Sequence, residues 1–176
     1  MSMVPSIRAE FLRYKDLGEK AIAQLDDPAL SVVPAGGGNS IATICWHISG
    51  NFRSRFTDFL TTDGEKPWRQ REEEFEPRSV TRDELLAKWR QGWDVLLATL
   101  DTLADVDLER TVTIRGQSLF VREALLRALA HVSYHVGQIV YAAKAARGDG
   151  WTYLTIPPGQ SDQYNRQPTR DRPPTK

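Results

Sequence analysis

A chain of 176 residues with 40% hydrophobic residues and five tryptophans has enough material for one domain with a sizeable core, which excludes a disordered protein and leaves no room for two domains. Its 23 basic and 23 acidic side chains cancel, which argues against a life built on phosphate contacts and so against nucleic acid as a partner. The single cysteine, Cys45, excludes an internal disulfide framework.

The opening MSMVPSIRAEFLRYK lacks the apolar core of a secretory signal, and nowhere do about 18 apolar residues follow one another. The expectation is a cytoplasmic protein with no membrane partner. The first helix is expected from Ser6, a natural N-cap, to Gln24, because Ile7, Phe11, Tyr14, Leu17, Ala21 and Leu25 recur at three- and four-residue steps. Pro28, Pro34 and the glycines of DDPALSVVPAGGG forbid its continuation. That linker is long enough to cross a bundle.

Asn39 or Ser40 can cap a second helix through IATICWHISGNFRSRFTDFLTT, ending near Asp63 and Gly64. A charged loop, DGEKPWRQREEEFEPRS, follows. Its mixed signs suit a self-paired surface loop, a flap over a site or a dimer contact. Thr81 and Glu84 form a capping box for a third helix, whose stripe is Leu85, Trp89, Trp93, Leu96, Leu97 and Leu100. RTVTIRGQSLF alternates and reads as a short extended piece or hairpin turned at Gly116. Ser118 can then cap a fourth helix from Leu119 to Ala146, closed by Gly148. The aromatic stretch from Trp151 to Tyr164 is expected to dock on the bundle. Residues 1–165 are assigned to one helical domain, and 166–176 to a disordered tail. The fold class is all-α, a four-helix bundle.

His131 and His135, in HVSYH, lie one helical turn apart with Cβ atoms about 6 Å from each other. They project from one face, beside the apolar seam of Leu125, Leu129, Val132, Val136 and Ile139, and can share one ion. His47, the only other histidine, would complete a set of three if the second and fourth helices are neighbours. Cys45 points elsewhere and is a poor fourth ligand. The competing reading, three packed histidines, has equal weight on pattern alone.

The single histidine of ICWHISGN and the later HxxxH pair resemble the DinB-like superfamily of metal-binding four-helix bundles. Two longer stretches resemble one uncharacterised branch of it closely, GNSIATICWHISGNFRSRFTDFLTTDGEKPWRQREEEF and HVSYHVGQIVYAAK. With TIPPGQSDQYN they span most of the chain from Gly38 to Asn165. The resemblance implies a crossing connection after the first helix and a homodimer. It also implies His47, His131 and His135 as ligands of a divalent metal, zinc first and nickel second.

Three neutral imidazoles leave such an ion its full charge, so it can favour the anion of a bound low-molecular-weight thiol. The resulting expectation is a metal-dependent transferase using a small thiol cofactor on a small-molecule substrate. Hydrolysis lacks the glutamate that HExxH carries between its histidines. The alternative is a stress protein that binds a metal or small ligand without turnover. Asn51, four residues after His47, and Gln138, three after His135, are candidate substrate or supporting contacts. Arg53 and Arg55 can hold a carboxylate or pair with Asp58 and nearby acids.

Overall fold

The structure is a computed structural model and describes residues 2–168. Four long helices carry the fold: α1 (Met3–Ile22), α3 (Ile41–Phe56), α4 (Arg82–Thr102) and α5 (Val121–Arg147). Two short ones accompany them, α2 (Asp27–Leu30) in the first linker and α6 (Ser161–Arg166) near the end. A hairpin of β1 (Thr111–Ile114) and β2 (Gln117–Phe120) precedes α5. The fold is all-α apart from this hairpin. No described helix is long and apolar enough to cross a membrane.

Helix α3 packs on α4 and α5, and α1 packs on α5 and α4. The helices α1 and α3 therefore face each other across the bundle, and the 23–40 linker crosses it. This arrangement makes α3 and α5 neighbours, which is what three converging histidines require. The interior is one apolar cluster, with Phe11, Phe52, Trp89 and Trp93 fully buried. Phe52 meets Trp93 edge-on at 5.0 Å between centroids and Phe11 at 6.2 Å. Such pairs add about 0.5–1.5 kcal/mol each beyond their burial. The α3–α4 seam closes at Gly92, where a Cβ would stand 2.6 Å from the Ser49 Cα.

Several boundaries differ from the sequence reading. Helix α1 starts at Met3 rather than Ser6, because the Asp105 carboxylate accepts the Met3 and Val4 amides and does the capping from across the molecule. Helix α3 is capped by Ser40, whose hydroxyl accepts the Thr43 amide, but it stops at Phe56, well before Asp63. Asp58 takes a positive φ of 49°, and the chain folds back so that Ser54 Oγ donates to the Gly64 carbonyl at 2.7 Å. Helix α5 starts at Val121, since Ser118 is in β2 and the Glu123 carboxylate accepts the Phe120 amide instead. Gly148, at φ 57°, ends α5 as the sequence suggests.

The hairpin turn consists of Arg115 and Gly116, both at positive φ, the signature of a two-residue turn that follows the strand twist. Asp63 accepts both turn amides at 2.8 Å. The 151–164 segment docks as expected: Gln24 exchanges two hydrogen bonds with the Thr152 backbone, and Trp151 and Leu154 pack on the core. Of the expected tail, Arg166 closes α6, and residues 169–176 lie outside the described residues.

Candidate metal centre

His47 comes from the middle of α3, His131 and His135 from the middle of α5, and the ligand-capable atoms of all three lie within 4.8 Å of one another. His47 and His135 are buried and His131 half-buried. The three rings stand roughly edge to face, with centroids 4.6 to 5.1 Å apart. Nε2 of His47 and Nε2 of His131 approach to 3.1 Å. Two nitrogens each about 2.05 Å from one tetrahedral ion sit roughly 3.3 Å apart, so this pair is already at ligand spacing.

The far nitrogens are fixed from behind. His47 Nδ1 is 2.9 Å from Glu74 Oε2, so its proton belongs on Nδ1 and its lone pair on Nε2, facing the cluster. His135 Nδ1 is 2.7 Å from Gln138 Oε1, and the Gln138 amide nitrogen donates to the Tyr134 hydroxyl at 3.1 Å. The same tautomer follows there. His131 Nδ1 is buried with no protein partner among the described residues.

Glu74 was not legible as a site residue. It sits in a 3-10 turn, Glu72–Phe75, within the charged loop, and it is buried. Arg69, whose side chain is 2% exposed, grips it through two parallel bonds, Nε to Oε1 at 2.8 Å and Nη2 to Oε2 at 2.9 Å. Burial alone would push the Glu74 carboxyl up. The hydrogen bonds from His47 and Arg69, with the guanidinium charge, outweigh it and hold the group below the usual carboxylate range. Room for Glu74 comes from Gly50, one turn after His47, where a Cβ would stand 2.1 Å from Glu74 Oε1. Phe75 covers the His47 ring at 4.8 Å. The loop is thus self-paired, as one expectation held, and it also supports the site.

Burial, followed by the neighbouring His135 and His47 and by Arg69 and Arg55, pushes the His131 imidazole down to about 3. Burial likewise lowers His135, against the opposing hydrogen bond from Gln138. Neutral imidazole is the ligating form, so the donor set suits a cation: three imidazoles, two of them with the tautomer set by a partner on the far nitrogen. Cys45 is fully buried, its thiol pushed up by burial, and it is not in the cluster.

A cavity of about 170 Å³ opens beside His131. Asn51 lines it, whereas Gln138 serves His135. Arg55 also lines it and pairs with Glu65 at 3.0 Å rather than with Asp58. Arg53 instead stacks over Trp68.

The model of a family described as "Protein of unknown function (DUF1572)" matches residues 1–160. Among solved structures, the chain is similar to a DinB-like protein from Bacillus cereus ATCC 10987, with a TM-score of 0.62 and 18% identity over 84% of this chain and 93% of that one. At that identity the likeness establishes the fold, a DinB-like bundle. No curated protein matches the chain.

Proposed function

We propose a function for this chain, which belongs to the DUF1572 family, from its site: a divalent metal ion held on His47, His131 and His135, serving the transfer of a small thiol. The observation that carries this reading is the convergence of three imidazoles from two helices, two of them backed by Glu74 and Gln138 on the far nitrogen. Buried histidines are hydrogen-bonded whatever their role; what supports the metal reading is that these bonds lie on the far nitrogens, the usual arrangement of metal-binding histidines. Zinc is the first choice because imidazole suits it, and nickel fits imidazole as well. The chemistry such an ion supplies is Lewis acidity, which favours the anionic form of a thiol at neutral pH.

The chain's own groups do the rest. Glu74 keeps the His47 proton on Nδ1, and Arg69 keeps Glu74 ionised and in place. Phe75 shields the His47 ring from water. The cavity at His131 gives a substrate a way in, and Asn51 in its wall offers an amide to orient it. This opening favours turnover over storage, because a closed structural site keeps no position for substrate. A homodimer belongs to the same reading, and exposed Tyr134 and Tyr141, two turns apart on α5, offer an apolar surface for it.

Metal content of the purified protein by mass spectrometry, beside His131→Ala and His135→Ala, tests the ligand assignment. Stoichiometric metal is expected in the wild type and most of it should be lost in either variant, with helix content by circular dichroism intact. Full metal in both variants would sink the assignment. Loaded protein that consumes no thiol across a panel of electrophiles would leave a binding role only.

A further inference from the structure

Five arginines line the cavity beside His131: Arg55, Arg69, Arg71, Arg115 and Arg127. No carboxylate lines it. They come from four places in the chain, α3, the charged loop, the hairpin turn and α5, so no local sequence pattern explains the gathering. Glu65 and Glu74 answer part of the charge, Glu65 holding Arg55 and Arg115, and Glu74 holding Arg69. Arg71 pairs with the exposed Glu72. Arg127, one turn before His131 on α5, has no ion pair among the described residues. Apart from Asn51 and His131, the remaining wall is apolar, with Phe56, Phe59, Ile114, Ala124 and Ala128.

A cationic rim over an apolar floor fits one kind of guest, an anion carrying an apolar body. The volume of about 170 Å³ lies below the range for drug-sized ligands and limits that body to a small ring or short chain. Guanidinium forks match planar carboxylates in pairs of parallel bonds. We propose that this cavity is the substrate site and that it takes a small organic acid, with the carboxylate on Arg127, aided by Arg71 and Arg115. The apolar body lies on Phe56, Phe59 and Ile114. Arg55 and Arg69 hold the loop and hairpin that form the rim. The inference deepens the proposed function by naming the substrate class, and it rests on that reading only for the word substrate: the binding itself needs no ion.

The test uses the full chain after dialysis against a chelator, titrated calorimetrically with benzoate, succinate, benzyl alcohol and inorganic phosphate. Saturable binding of benzoate or succinate is expected, with none of benzyl alcohol and weaker binding of phosphate, which makes no use of the apolar floor. Arg127→Ala should weaken the carboxylate roughly ten- to hundredfold, and Arg127→Lys should recover part of the loss. Arg127 is exposed, so the variant is expected to fold, and Arg71→Ala provides a second reading. Unchanged affinity in both alanine variants, phosphate binding as tightly as benzoate, or no carboxylate binding at all would overturn the proposal. Metal content, measured on the same preparations before dialysis, keeps the two readings apart. Carboxylate binding without metal uptake would refute the ion and leave the acid site standing, and the converse result would do the opposite.

Discussion

Glu74 reaches His47 only because position 50 carries no side chain. Two substitutions therefore probe one contact from opposite sides. Glu74→Gln removes the charge that fixes the His47 proton and loosens the Arg69 clamp. Gly50→Ala keeps the carboxylate but sets a methyl group where its oxygen lies. Both are expected to lower affinity for zinc by about 10–100-fold, read by competition with a chromophoric chelator. Unaltered zinc affinity in both would show that Glu74 merely packs. The histidines were legible as candidates because two of them share a helical face and the third is the only one left, but spacing left that reading level with packed histidines, and the resemblance to the DinB-like superfamily tipped it. Glu74 was not legible, because it is 27 residues from His47. Glu72, Glu73 and Glu74 are alike in sequence, and only the 3-10 turn decides which one faces inward.

Two of the helix ends that were misread are fixed by distant parts of the chain. The Thr81 and Glu84 box caps α4 as spacing foretold, with the Thr81 amide donating to Glu84 at 2.8 Å. The start of α1 depends on Asp105, about a hundred residues away, and the end of α3 on a fold-back held by Ser54 and Arg55 at the Gly64 carbonyl. Neither has a signature in its own window. Gly92 is a third such position, a glycine inside a helix that propensity alone would disfavour by about 1 kcal/mol relative to alanine. Its reason is the Ser49 backbone across the seam, 2.6 Å from where a Cβ would sit. Gly92→Ala should improve the helix locally yet destabilise the protein by about 1–3 kcal/mol through overpacking, measured by urea unfolding. A stabilised variant would mean that the α3–α4 seam can open without penalty.

At the scale of the whole molecule, the diagonal placement of α1 and α3 makes α3 and α5 neighbours, and so the histidine cluster is a property of the topology. The crossing linker was legible as a possibility from its length. The cavity beside the cluster was not, because its rim is assembled from four separate stretches. A site formed only by the folded chain couples ion binding to folding. An ion at a hundred times its dissociation constant adds about 2.7 kcal/mol, which for a chain of this size corresponds to a melting temperature higher by roughly 5–11 °C. Chelation should remove that increment in the wild type and change nothing in the His47, His131 and His135 triple alanine variant. The metal-free protein has a pH dependence of its own. His131 is held down to about 3 and His135 is lowered too, against about 6.5 in an unfolded chain. Above that value both states are neutral and the imidazoles contribute no pH dependence. As pH falls below 6.5 the unfolded chain takes up protons that the folded site refuses, so stability should decline toward pH 3, with a slope below about 1.4 kcal/mol per pH unit for each histidine because the site is partly exposed. The triple alanine variant should lose this slope. If wild type and variant unfold in parallel from pH 7 to pH 4, the fold does not hold these histidines neutral, and an ion would have to displace their protons in order to bind.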